Sequence, residues 1–100
     1  MSDDPDFRRL LLFLLGGSRG GENRARIIRR LRDKPSNMNQ LAGDLGLQYK
    51  AIQHHVRILM NNSLLTSSGE KYGNVYSLNP WFEAHLDIFD QICGKLGFKS

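Results

Sequence analysis

Residues 37–65, NMNQLAGDLGLQYKAIQHHVRILMNNSLL, predict two helices joined by a tight turn. Asn37 is a suitable N-cap for the first helix. Its apolar residues recur at the spacing that places them on one inner face, and they are Met38, Leu41, Ala42 and Leu45. Gly46 is expected to end this helix, because glycine enters the left-handed conformation at a helix C-terminus without steric cost. With a second helix beginning near Gln48, the stretch predicts a helix-turn-helix over residues 37–61.

The second helix is expected to have two different faces. Ile52, Val56 and Leu59 repeat at four and three residues and predict a narrow inward stripe. The outward face carries long hydrogen-bonding and cationic side chains and no acidic one, namely Gln48, Tyr49, Lys50, Gln53, His54 and Arg57. A solvated face normally mixes both signs of charge, whereas a helix in the DNA major groove needs base-edge donors and acceptors and cations for phosphates. This face is therefore predicted to bind double-stranded DNA.

Length and composition indicate a soluble globular chain with a single domain, residues 1–100. The longest strongly apolar run, residues 10–15, is far shorter than the roughly 20 residues of a membrane span. The N-terminus MSDDPDF lacks the basic region and cleavage site of a secretory signal. The single Cys93 cannot form a disulfide within the chain and is expected to be a buried, inert thiol, with a redox role as the alternative. These features predict a cytoplasmic protein.

Positive charge is concentrated in the first 57 residues. The net charge of the chain is +4, but residues 8–57 contain eleven Lys or Arg against three Asp or Glu, whereas residues 80–100 are slightly acidic. Such asymmetry predicts a polyanionic partner. A helix predicted over residues 22–33 is rich in arginine, and some of its arginines are expected to pair with Glu22 and Asp33. Those predicted to reach DNA phosphates are Arg24, Arg26, Arg29 and Arg30.

Residues 65–78 predict a β-hairpin. The segments 65–68 and 74–78 favour strands, and residues 69–73 supply turn chemistry between them. Because the hairpin follows the helix-turn-helix directly, it is a candidate wing, with Lys71 and Tyr72 at its tip in contact with DNA. The alternative is a hairpin that only closes the core.

Helices are also predicted near both ends of the chain, over residues 7–15 and 80–96, each preceded by a capping residue and proline. Their apolar surface exceeds what one small core absorbs, which favours a homodimer interface over burial within the same chain. The residues predicted to form that interface are Phe7, Leu10, Leu11, Leu14, Phe82, Leu86, Phe89 and Ile92. The glycine-rich segment 16–21 is expected to be a connector, with an anion site at the next helix as the alternative.

The pattern as a whole predicts a mainly α fold with a small β wing, about five helices with the hairpin before the last one. This order resembles the winged helix-turn-helix transcriptional regulators of the ArsR type, particularly their compact archaeal relatives, over residues 7–93. The most specific part is AIQHHVRILMNNSLL, residues 51–65. The matching positions are Ile52, Gln53, His54, His55, Val56, Arg57, Leu59 and Ser63-Leu64-Leu65. The resemblance implies a dimeric, sequence-specific DNA-binding repressor or activator.

No metal site, cofactor or catalytic centre is expected. Cys93 is alone, His85 has no obvious chelating partner, and His54 and His55 point about 100° apart on a helix. His55 is expected to pack at the DNA-facing edge, as in the family pattern, and His54 to contact a base or phosphate. Because no nucleophile with a base and orienting group is evident, the chain is not expected to be an enzyme. The sequence identifies no pocket for a small-molecule effector.

A second hypothesis is that the fold serves as a winged-helix protein-interaction module in a larger transcription assembly, with its apolar outer helices docking another protein. Fold alone does not decide between these functions. The polar, cation-rich face of the second helix favours DNA.

Overall fold

The computed structural model describes residues 4–98, which form six helices and a three-stranded antiparallel sheet. In chain order the elements are α1 (Pro5–Gly16), α2 (Gly21–Asp33), β1 (Ser36–Asn37), α3 (Met38–Leu45), α4 (Tyr49–Asn61), β2 (Leu65–Ser67), β3 (Val75–Leu78), α5 (Pro80–Glu83) and α6 (Leu86–Leu96). The mainly helical class with a small sheet is thus confirmed. Residues 1–3 and 99–100 of the predicted domain lie outside the described residues. None of the described helices combines the length and the apolar character that crossing a membrane requires.

The two helices predicted between residues 37 and 61 are present as α3 and α4. Asn37 caps α3 with a capping box, in which its side-chain oxygen accepts from the Gln40 backbone N–H and the Gln40 side-chain oxygen accepts from the Asn37 backbone N–H, both at 2.8 Å. Gly46 ends α3 in the left-handed conformation with φ 67°. Both boundaries follow from local sequence signals.

The predicted hairpin is confirmed, and it is tied to the start of α3. β2 and β3 pair antiparallel with Leu65 opposite Leu78. β3 also pairs with β1, with Asn37 opposite Val75, so that β3 is the central strand. Because Asn37 belongs to β1 and also caps α3, the hairpin lies beside the helix pair.

The single helix predicted over residues 80–96 is divided into α5 and α6. The ring Nδ1 of His85 lies 2.7 Å from the carbonyl oxygen of Trp81, the acceptor that a continuous α-helix would offer to the His85 backbone N–H. That backbone N–H instead donates to Phe82 at 2.8 Å. The side chain therefore competes with the helical hydrogen bond and the helix breaks.

All but one of the residues predicted for dimerisation lie in the core of a single chain, and the prediction is wrong for these buried residues; for Leu10 it stays a prediction. α1 packs against α2 and α6. Seven of the eight predicted side chains are at most 8% exposed, and Leu10 is half-buried against the same core. The apolar stripes of α1 and of the last two helices cover each other within the chain. The large apolar side chains left exposed near the two ends are Leu12, Phe13 and Trp81.

Candidate nucleic-acid interface

α4 has an apolar inner face and a polar, cationic outer face. Ile52, Val56 and Leu59 are at most 1% exposed, as their spacing predicted. The outer side chains that lie exposed are Gln48 at the N-cap, Tyr49, Lys50, His54 and Arg57, with Gln53 half-buried among them. No acidic residue occurs in α4. The helix thus offers amide, hydroxyl and cationic groups on one side and no group that repels phosphate.

A groove separates α4 from the hairpin. It consists of two adjoining hollows of about 240 and 270 Å³ that share four lining residues, Met38, Gln53, Asn74 and Tyr76. Tyr49 and Arg57 extend the α4 wall, and Lys71 extends the hairpin wall. The groove therefore combines amides, tyrosine rings and cations, the groups that proteins use for base edges and phosphates.

The hairpin tip is ordered by a local hydrogen-bond network, and its two predicted contact residues point outward. The Asn74 side-chain oxygen accepts from the Ser68 hydroxyl at 2.9 Å and from the Gly69 backbone N–H at 3.1 Å. Tyr72 is 82% exposed, and the Lys71 ammonium lies 5.7 Å from the centre of its ring. Lys71 lines the groove, Tyr72 lies exposed beside it in the chain, and neither side chain closes the core.

Arg24 is not available to DNA, and its prediction as a phosphate contact is wrong. The side chain is 1% exposed. It lies on the buried face of α2 together with Ile27, Ile28 and Leu31, because the spacing 24, 27, 28, 31 places these residues on one side of a helix. The sequence contains this spacing, which indicates a buried Arg24, but a count of arginines does not take spacing into account.

Arg26 and Arg30 join α2 to α3. The Arg26 guanidinium donates to the carbonyl oxygen of Leu45 at 2.7 Å, and Arg30 forms an ion pair with Asp44 at 2.7 Å. Both arginines are half-buried. They hold the helix that precedes α4, and their predicted contact with phosphates stays a prediction.

Arg29 and Arg32 lie toward α6. The Arg29 guanidinium is 6.0 Å from the centre of the Phe89 ring. Arg32 binds Asp90 through both of its terminal nitrogens, at 2.8 and 3.2 Å, and this hydrogen bond raises the pKa of Arg32. The arginines of α2 therefore serve largely to connect helices. Their positive charge alone is weak evidence for a polyanionic partner of this helix.

The two adjacent histidines of α4 occupy different environments. His54 is exposed, whereas His55 is 6% exposed, with 5.2 Å between the ring centres. Burial, then the charges of Arg24 and His54, lower the pKa of His55. The packing predicted for His55 is confirmed, but on the side of α4 that faces Arg24. Within residues 4–98, no group of three or more His, Cys, Asp or Glu could hold a metal ion.

The groove residues that the sequence analysis did not assign to the site include Asn39, Asn74 and Tyr76. Asn39 and Asn74 lie beside element ends, where asparagine commonly serves as a cap or turn residue, so that composition alone does not single them out. Tyr76 belongs to segment 74–78, for which the sequence indicates only a strand. Its position in the groove also depends on the pairing of β3 with β1, where Tyr76 lies opposite Ser36, and this pairing was not predicted.

Comparison with known proteins returned no family model and no curated protein that matches this sequence. Function is therefore inferred from the residues and their geometry.

Proposed function

We propose that this protein is a sequence-specific double-stranded DNA-binding transcriptional regulator of the winged-helix class, acting as a homodimer. The observation that carries the proposal is the exposed face of α4, which presents amide, hydroxyl and cationic side chains without any acidic residue, beside a groove formed with the hairpin. In this proposal α4 is the recognition helix and enters the major groove, and the hairpin is the wing.

The order and packing of the elements support the winged-helix assignment. A helix pair joined by a short turn precedes the hairpin, and β1 connects that hairpin to the first helix of the pair. Ser63 has φ 61°, the left-handed conformation that glycine adopts most readily. In the ArsR-type pattern that residues 51–65 resemble, glycine stands at this position, and Ser63 here adopts a backbone conformation that favours glycine.

Side chains of α4 divide into two roles by exposure and chemistry. Gln53 lies within the groove, and its amide suits bidentate recognition of adenine N6 and N7. Lys50 and Arg57 are exposed cations, suited to bind phosphates or guanine. His54 is an exposed imidazole on the same face. Lys71 adds a cation from the wing. The other wing and α4 contacts in this proposal are Gln48, Tyr49 and Tyr72.

The proposal is tested by selecting duplexes from a random pool and measuring their affinity by fluorescence anisotropy over a salt series. Arg57→Ala is expected to weaken binding to all duplexes and to reduce the slope of log affinity against log salt by ~0.9, the value for one lost phosphate contact. Gln53→Ala is instead expected to lose ~1–3 kcal/mol of discrimination at one base pair, if Gln53 binds that base.

Lys95→Ala is the matched control, because it removes one positive charge from an exposed position of α6. It should leave affinity for the selected duplex within about twofold of wild type. Equal binding by wild type, Arg57→Ala and Gln53→Ala would reject the assignment of α4. A monomer that binds no duplex at low salt would favour the protein-interaction module.

The homodimer belongs to the same proposal, with an interface different from the predicted one. Leu12 and Phe13 are 42% and 59% exposed on the outer side of α1. Near the end of α1, Leu96 of α6 packs beside Gly16. A dimer that binds two half-sites needs its recognition helices about one turn of DNA apart, ~34 Å, and a second copy on this face would supply the second helix. Removing the exposed Leu12 and Phe13 side chains from water would make association of two copies through this face favourable.

Light scattering is expected to give a molar mass of twice 11.4 kDa for wild type. Phe13→Glu should give a single chain's mass with unchanged far-UV circular dichroism, because Phe13 lies outside the core. Glu83→Gln, an exposed charge change on α5, serves as the control and should remain dimeric. A wild-type protein of 11.4 kDa at micromolar concentration would contradict the dimer without touching the assignment of α4.

A further inference from the structure

A buried arginine connects the α1–α2 loop to α4. The Arg24 Nε donates to the carbonyl oxygen of Leu14 at 2.9 Å, and its Nη2 donates to the Ser18 hydroxyl at 2.6 Å and to the carbonyl oxygen of Arg19 at 2.9 Å. The remaining nitrogen, Nη1, lies 3.2 Å from Nδ1 of His55. One side chain thus holds the end of α1, the following loop and the helix proposed to read DNA.

This geometry fixes the protonation state of His55. A guanidinium has donors only and stays charged at all physiological pH values. The His55 Nδ1 must therefore accept the hydrogen bond, so the ring is neutral with its proton on Nε2. The charged groups that act on the ring are Arg24 from α2 and His54 from α4 itself, and both disfavour the imidazolium. No carboxylate is among them.

The contact has little room to adjust. Three oxygens hold the Arg24 guanidinium in place, and the backbone of Gly20 packs directly against the His55 ring, so closely that a Cβ at Gly20 would overlap Cε1. A proton added to Nδ1 would remove the acceptor and place two buried cations side by side. The ring could then no longer keep this position beside Arg24.

We propose that the Arg24–His55 contact positions α4 for DNA and that protonation of His55 releases it, so that acidification weakens DNA binding. The inference rests on the proposed function and adds regulation to it. Arg24 and His55 are positioning residues, since neither lies on the exposed face of α4.

His54 lies next to His55 in the chain and is exposed on the outer face of α4, where phosphates are proposed to bind. His54 could therefore act on DNA binding directly and not through the Arg24–His55 contact. All variants are placed in a His54→Gln background so that the test reports on His55 alone.

The lowered pKa of His55 also gives the sign of a stability effect. The unfolded chain binds a proton at the ordinary pKa of about 6.5, whereas the folded chain binds it only at lower pH. His55 therefore contributes stability that is fully present above pH ~6.5 and is lost as the pH falls through the folded-state pKa. Release of α4 and partial loss of stability are expected in the same pH range.

The test compares His54→Gln with His54→Gln/His55→Asn. Asparagine places an amide oxygen near the position of Nδ1, so it can accept from Arg24 but does not titrate. Affinity for a selected duplex is measured from pH 8 to pH 5 at constant ionic strength. His54→Gln is expected to lose affinity on acidification, with a limiting slope of ~tenfold per pH unit below the His55 pKa. The double variant should show no such loss.

The third histidine provides a matched control, because His54→Gln/His85→Asn removes a different imidazole ring and should still lose affinity on acidification. Nitrogen-15 shifts of His55 should show the neutral ring protonated on Nε2 at pH 7. Far-UV circular dichroism over the same pH range reports whether the fold persists.

Parallel loss of affinity in both variants, or none in either, would overturn the switch. Loss that coincides with global unfolding, or a His55 protonated on Nδ1 at pH 7, would also overturn it. If no variant binds any duplex even at pH 8, the proposed function fails, and regulation of DNA binding fails with it. Normal binding at pH 8 without the pH response rejects the switch alone.

Discussion

Gly21→Ala is expected to lower the free energy of unfolding by about 3 kcal/mol or more, the upper part of the range for overpacking. Gly21 is the first residue of α2, and a Cβ there would overlap the backbone carbonyl of Leu15 in α1. Backbone atoms cannot rotate away as a flexible side chain can. α1 and α2 would have to separate, and small domains have only about 5–15 kcal/mol of stability in total.

Urea unfolding followed by circular dichroism measures this change, with Gly43→Ala as the matched control. Gly43 is an exposed helical residue of α3, and a Cβ at this position meets nothing within 4 Å. Alanine is favoured over glycine in a helix interior by roughly 0.5–1 kcal/mol, so this control should gain stability. Equal effects of the two substitutions would refute the close packing of α1 on α2.

Arg24→Met is expected to lower the free energy of unfolding by about 2–4 kcal/mol. Methionine has a similar length and fills most of the space, but it leaves the acceptors of Leu14, Ser18 and Arg19 without their donors, at about 1 kcal/mol or more each. Relief of the desolvation of a buried cation offsets part of this loss. Arg24→Lys should also destabilise, because an ammonium cannot reproduce the planar arrangement of donors.

Arg32→Met is the control for this substitution, because it changes the same residue type in the same helix. Arg32 is 42% exposed and pairs with Asp90, and an exposed ion pair contributes about 0–1 kcal/mol. Chemical denaturation of the three variants should rank Arg24→Met well below Arg32→Met in stability. Equal stabilities would mean that the buried hydrogen bonds of Arg24 contribute nothing net.

The sequence predicted the elements whose signals are local. Asn37 and Gly46 mark the ends of α3, and each acts through groups within a few residues in the chain. The inward stripe of α4 follows from the helical spacing of its apolar residues, and the hairpin follows from β-propensity and turn residues, which are likewise local signals. These elements position the outer face of α4, so the main part of the candidate site was predictable as well.

Features that depend on distant partners were not predictable. An apolar stripe such as that of Phe82 and Phe89 shows that a helix must be covered, but burial within one chain and burial between two chains produce the same pattern. The sequence shows the arginines of α2 only as a concentration of positive charge. The acidic partners of Arg30 and Arg32 lie 14 and 58 residues away along the chain, so these ion pairs could not be predicted from local sequence. The break before α6 depends on one histidine ring and a carbonyl group.

The double role of Asn37 has a consequence for how the protein would meet its ligand. As the last residue of β1 it pairs with Val75, and as the cap of α3 it fixes the first turn of that helix. The hairpin and the helix pair are therefore joined through this one residue, which limits how far α4 and the hairpin can move apart. In the proposed complex with DNA, little backbone ordering would remain to be done on association, so free and bound backbones should nearly superpose. An opening of this kind would then discriminate between duplexes by their shape and deformability as well as by their bases.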